Sequence, residues 1–373
     1  MTLQELRTPC VLVDWARLER NLDRMQAAAT AGGLRLRPHA KTHKSPEVAR
    51  LQLARGATGI CCAKLGEAEV FADAGITDIR LPYSLHPSNA DRVIALLDRV
   101  HLSFIVDNLE VARGWSAAMT AAGREVDVLV KVDVGLHRCG IDPEAPGAAA
   151  LIAQVGRLPG LRFRGLLSHA GHAYGASSDA ETASIAAAEA ATLTGLAQQA
   201  DALGVRCEEI SVGATPTARH SATLSGLTEM RPGNYAYYDR MQVALGAATW
   251  SDCALTVLAR VVSRPAADRL ILDSGSKTLT NDVVRGPGDT PGYGVVLAAL
   301  ESDVPDPGLV IERLSEEHAR VTVSGESPLA PGDLVRIIPN HSCPVSNLVD
   351  RAWKVDGNQV LGELEVAARG RIA

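Results

Sequence analysis

Apolar and polar positions fall into repeating blocks from about residue 34 onward. Short apolar runs recur as LRLRP (34–38), TGICCA (58–63), DIRLP (78–82), LSFIVD (102–107), VDVLVKVD (126–133), FRGLLSH (163–169), EISVG (209–213) and TEMRPG (228–233). Between most of them lie alanine-rich amphipathic segments such as SPEVARLQLARG, LGEAEVFADAG and DNLEVARGWSAAMTAAG. Brief apolar runs read as buried strands, and apolar positions three or four apart read as one face of a helix. Asp107 or Asn108 can cap the last of these helices and Gly123 can end it. Eight strands joined by helical crossovers over roughly 200 residues is the count of a (β/α)8 barrel. A doubly wound open sheet is the alternative.

The texture changes near residue 245. CALTVLARVVSRP, RLILDSG, HARVTV, DLVRIIP and QVLGELEV are β-rich, with turns at Gly, Pro and Asp. The expectation is an α/β protein with a TIM-type barrel over 15–244 and an all-β domain over 245–373. The early TPCVLVD is strand-like, so residues 1–14 are assigned to the β domain.

Composition narrows the function classes. At 373 residues and 46% hydrophobic content, the chain can bury a large core. A formal charge of −6 provides no global basic field for nucleic acid or an anionic membrane. No apolar run is long enough to span a bilayer. The seven cysteines are odd in number and lack paired spacing, which reads as reduced thiols in a cytoplasmic protein.

Within this acidic chain, RPHAKTHK (37–44) gathers two lysines and two histidines just after the first barrel strand. Barrel active sites lie at the strand C-terminal ends. Neighbouring cations favour the neutral form of an amine, the form that attacks a carbonyl, so Lys41 is a candidate nucleophile. The plainer reading is a solvated basic turn. SVGATPT (211–217) and RPGNYAYYD (231–239) follow the seventh and eighth strands. There Gly213 and Gly233 let the backbone approach an anion, and Thr215 supplies a hydroxyl. VDVGLHRCG places Arg138 past the fifth strand, and LLSHAGHAYG places His169, His172 and Tyr174 past the sixth. In PNHSC, His341 and Cys343 stand two apart; if the stretch is extended, both point to one face and can share a divalent metal.

RPHAKTHK, HAGHAYG, SVGATPT, RPGNYAYYD, SEEHARV and PNHSC, in this order, resemble the D-threonine aldolase and D-serine dehydratase family. Its members are pyridoxal-phosphate enzymes of the alanine-racemase-like fold, and the resemblance runs from TPCVLVD to the C-terminus. It implies a barrel, a C-terminal β domain and usually a homodimer acting on a small D-amino acid. Carried over, Lys41 would hold pyridoxal 5'-phosphate as a Schiff base, and Arg138 would bond to the cofactor ring. His169 and Tyr174 would line the cofactor. Gly213, Thr215, Gly233 and Asn234 would hold its phosphate, with Tyr235 beside them. His341 and Cys343 would bind the metal; a thiolate favours zinc over manganese or magnesium. Aldolases of the family resemble His-x-Asp at this pair, dehydratases His-x-Cys as here. That tilts the expectation toward dehydration of a D-3-hydroxy amino acid, with retro-aldol cleavage as the alternative and His172 as an extra base for that branch. An amino-acid racemase, which needs no metal, and a non-catalytic cofactor-handling protein are the remaining readings.

Overall fold

The computed structural model describes residues 1–284 and 291–373. Strand β1 (Cys10–Asp14) leads into the helix Trp15–Ala31, whose first turn is capped by the Asp14 carboxylate accepting from the Arg17 amide at 2.9 Å. The barrel strands follow: β2 (Arg35–Leu36), β3 (Ile60–Cys61), β4 (Asp78–Ser84), β5 (His101–Val106), β6 (Val126–Lys131), β7 (Leu161–Leu167), β8 (Glu209–Val212) and β9 (Glu229–Met230). All eight coincide with apolar runs picked out in the sequence. They form one parallel sheet in the order β2-β9-β8-β7-β6-β5-β4-β3. A bridge between His39 and Cys61 joins its two ends and closes the barrel. Asn108, not Asp107, caps the helix Leu109–Ala121.

The barrel interior is not uniformly apolar. Arg80 donates to Glu229 at 2.5 Å and to Glu209 at 2.8 Å, and Arg37 donates to Glu229 at 2.8 Å. All four side chains are buried. Burial pushes the Glu229 carboxyl up, but Arg80 and Arg37 outweigh it and bring it down to about 2. Ile105, Leu129 and Leu167 form a separate apolar cluster, with Leu167 reaching a cavity at the strand C-terminal ends.

The second sheet contains β10 (Leu255–Ala266), β11 (Arg269–Leu272), β12 (Val295–Leu297), β13 (Leu309–Leu314), β14 (Ala319–Val323), β15 (Leu334–Ile338), β16 (Arg351–Asp356) and β17 (Gln359–Glu365). Its order is β11-β14-β13-β12-β15-β10-β1-β16-β17, and an added β10–β11 pairing closes the first six strands into a ring. Strand β1 joins this sheet: it runs antiparallel to β10 and parallel to β16. Val11 and Val13 sit in the main core, while Leu12 packs in a satellite cluster with Leu3, Leu6, Leu258 and Val355. Among the described residues, no helix is long and apolar enough to cross a membrane.

Candidate active site

The loops after the barrel strands and a loop of the second sheet enclose a cavity of about 570 Å³. Its wall includes Lys41, Arg138, His169, Tyr174, Thr215, Gly233, Asn234, His341 and Cys343, residues spread over 300 positions of sequence. Lys41 is exposed to the cavity, and its backbone amide donates to His39 Nδ1 at 3.4 Å. Lys44, three residues on, points elsewhere. Its amine is buried against Glu67 at 2.5 Å, and its backbone takes a left-handed φ of 50°.

Two imidazoles flank Lys41. Burial, reinforced by the Lys41 charge, holds both His39 and His169 well below the ordinary imidazole range, so both are neutral at neutral pH. His169 Nδ1 donates to the Gly213 carbonyl, which fixes the tautomer and leaves Nε2 with a free lone pair. His43 lies behind them, accepting from the Ser45 amide at 3.1 Å and held near 4 by burial.

On the same cavity wall, His341 is the N-cap of the short helix Ser342–Ser346, so the stretch is not extended as expected from sequence. The cap geometry still brings the Cys343 thiol beside the His341 ring. Burial raises that thiol, but the imidazole beside it outweighs burial and brings it below its usual value. Burial opposes charge on His341 too, yet Cys343 and Asp282 raise it to about 10. His341 Nδ1 is bonded to Asp282 Oδ2 at 2.8 Å, which leaves Nε2 to face the thiol. Thr42 Oγ1 lies 3.2 Å from Cys343 Sγ. A thiol, an imidazole and a carboxylate orienting that imidazole are donors that could hold a soft divalent ion and leave positions open. Among the described residues no group of three His, Cys, Asp or Glu is positioned to hold an ion, so the protein would supply two ligands.

The phosphate-type loops fit a bound anion. Thr215 Oγ1 is buried without a hydrogen-bond partner at the cavity. A Cβ on Gly233 would meet the His39 carbonyl oxygen at 2.8 Å, so that position needs the bare backbone, while one on Gly213 would meet the Arg231 side chain at a tight 3.2 Å. Burial raises the Tyr174 phenol above its usual range, and it faces Thr215 and Gln242.

Three expected residues, Gly213, Tyr235 and His172, lie off the cavity wall. The Tyr235 hydroxyl is buried behind the loop and accepts from Gln52 Nε2 at 3.0 Å. His172 packs over Gly135, beside Asp133 and His137, instead of lining the wall. Conversely, Arg231, Lys131 and Asp282 line the cavity and were not singled out from sequence. Arg231 is held by Ser211 Oγ at 2.7 Å and by the Ser168 carbonyl. Burial, with Arg231 nearby, lowers the Lys131 amine below its usual value.

Comparison with known proteins finds matches along both parts of the chain. Residues 13–241 match the family model for the alanine racemase N-terminal domain, and residues 254–355 match one described as "Putative serine dehydratase domain". The chain is 36% identical to a D-threonine aldolase of Arthrobacter sp, covering 99% of this chain and 94% of that protein. It is 30% identical to a D-serine dehydratase of Dictyostelium discoideum, covering 91% of each. The solved D-threo-3-hydroxyaspartate dehydratase of Delftia sp. HT23 superposes with a TM-score of 0.92 at 32% identity, covering 98% of each chain. A variant of that dehydratase with a cysteine replaced by alanine is described as the metal-free form. Matches of this extent, over both parts of the chain, make it a member of the D-threonine aldolase and D-serine dehydratase family, pyridoxal-phosphate lyases of the alanine-racemase-like fold.

Proposed function

We propose that this protein is a divalent-metal-assisted lyase for D-3-hydroxy-α-amino acids and that dehydration and deamination to a keto acid and ammonia is its main reaction. The observation that carries this reading is the His341–Cys343 pair, backed by Asp282, on the same cavity wall as Lys41. When bound, pyridoxal phosphate would draw off the charge that develops at Cα, and a metal on His341 and Cys343, with zinc preferred by the thiolate, would polarise the β-hydroxyl.

The remaining work falls to the chain. Thr215, Gly233 and Asn234 hold the phosphate, while Arg138 and Tyr174 bound the space for the ring. Lys41 anchors the cofactor and moves the Cα proton. His39 and His169 stay neutral around it, so they neither compete for that proton nor add like charge. The His-x-Cys pattern and the position of His172, off the cavity wall, favour dehydration. The aldolase branch stays as the second reading because an Arthrobacter relative 36% identical to this chain carries that name. We also propose a homodimer in the cytoplasm, in keeping with the family and with seven free cysteines.

The test is to incubate the protein with D-serine and D-threonine, with and without zinc or manganese. Pyruvate or 2-oxobutanoate plus ammonia, lost on chelation and lost in His341→Ala, is the expected result. Glycine plus acetaldehyde would transfer the assignment to the aldolase branch. A chelator-resistant product that is an amino acid of inverted hand would refute the lyase reading altogether.

A further inference from the structure

A buried carboxylate behind the cavity joins two of its functional ends. Asp239 is wholly buried, and nothing in the reaction described above uses it. Its Oδ2 accepts from Asn234 Nδ2 at 2.6 Å, from the Ser342 amide at 2.9 Å and from Ser342 Oγ at 3.2 Å. Its Oδ1 accepts from the Gln242 amide at 3.1 Å. Asn234 stands on the loop that would hold the phosphate, and Ser342 lies between the two metal-pair residues. The same amide of Asn234 also reaches Ser342 Oγ at 3.1 Å and Cys343 Sγ at 3.6 Å. Two backbone bonds splice the segments together, Arg240 N to the Pro339 carbonyl at 3.1 Å and Met241 N to the Asn340 carbonyl at 3.3 Å.

The geometry points to Asp239 as a positioning residue that couples the phosphate loop to the metal pair, so that loading of cofactor and binding of metal reinforce each other. The coupling rests on the metal role proposed for His341 and Cys343. One carboxylate oxygen with three donors from two loops cannot satisfy both unless they sit at one separation. A phosphate that fixes the Asn234 loop therefore also fixes Ser342, and with it the spacing of the imidazole and thiol. Asparagine cannot replace this group. Its amide carries a single acceptor oxygen, and the NH2 would face either the Ser342 donors or the Gln242 amide.

The test measures zinc affinity on the full chain by competition with a chromophoric chelator, with and without pyridoxal phosphate. In the wild type, cofactor loading should tighten zinc about fivefold or more, the usual lower range of linked sites. Asp239→Asn should weaken zinc about 10- to 100-fold, as loss of an outer-shell partner does. Its zinc affinity should no longer respond to the cofactor. A wild-type zinc affinity or an intact response in a folded Asp239→Asn protein would overturn the coupling, as would a wild type without any response. Should that variant fail to fold, Ser342→Ala removes one donor only; it should lose severalfold in zinc affinity and respond less, and wild-type values there would also overturn it. His341→Ala separates the two claims. If the wild type binds zinc no better than His341→Ala, the metal reading fails and the coupling with it. If only Asp239→Asn is unaffected, the coupling alone fails.

Discussion

Replacing Lys44 by alanine should unfold the protein more easily yet leave the cofactor in place. Lys44 and Glu67 form a buried pair, their side chains 8% and 2% exposed, with Nζ and Oε1 2.5 Å apart. The second oxygen of Glu67 accepts from the Ala63 amide at 2.5 Å, so the carboxylate is locked in place when the amine goes. Removing one partner of such a pair costs about 3–5 kcal/mol, because the other charge stays buried and uncompensated. The backbone at Lys44 is left-handed, a strain that alanine shares with lysine, so the difference reads the ion pair and not the turn. With an unfolding entropy of about 2.1 cal/mol/K per residue, that cost lowers the melting temperature by roughly 4–6 °C. Lys41→Ala should do the opposite. Its side chain is exposed at the cavity, so the melting temperature should hold while the visible absorption of the bound cofactor disappears. Absorption spectra after incubation with pyridoxal phosphate, paired with thermal melts of both variants, decide it. A folded Lys44→Ala protein without the band, alongside a Lys41→Ala protein that keeps it, would refute the assignment. Lys44→Met with Glu67→Gln should recover most of the lost stability.

Gly233→Ala places a methyl 2.8 Å from the His39 carbonyl oxygen, so the phosphate loop must shift; cofactor affinity measured by absorption titration should fall at least tenfold, and an unchanged value would remove this loop from the phosphate site. Acid stability tests the barrel interior. The Glu229 carboxyl is held at about 2, below its ordinary value of 4.5, so its contribution is present above pH 4.5 and lost as pH falls toward 2. Urea melts should lose about 3 kcal/mol across that window, at 1.36 kcal/mol per pH unit of difference. Glu229→Gln should flatten the acid arm, and an arm that keeps its slope would show that other carboxylates dominate.

Most of the fold was legible because its signal is local. Each barrel strand is a short apolar run bracketed by helical spacing, and β1 reads as strand-like in TPCVLVD. Lys41 was legible because a cationic cluster in an acidic chain stands out. What escaped lies in tertiary encounters. Asp282 belongs to an unremarkable NDVV stretch and gains its meaning only where it meets His341, 59 positions away. Arg231 stands two residues before Gly233; the signal available in the sequence is an arginine at a strand end, and its burial becomes visible only in the fold. The extended reading of PNHSC failed because His341 caps a helical turn, and a period of two cannot be told from a cap in five residues. Tyr235 and His172 were placed by motif membership, which fixes a loop but not the direction of each side chain along it.

The position of β1 between β10 and β16 has a cost during synthesis. Leu12 faces Thr256 on one side and Trp353 on the other, so its partners lie most of a chain length away. At about 5–20 residues per second, the ribosome needs roughly ten seconds to a minute to deliver the first of them. Until then a strand of Val11, Leu12 and Val13 has two unpaired edges next to a barrel that can already close. A nascent chain released after residue 245 would keep that strand open indefinitely, a site for chaperone capture or for edge-to-edge association between copies. Completion of the second sheet therefore does more than bring His341 and Cys343 to the cavity. It also covers both edges of β1.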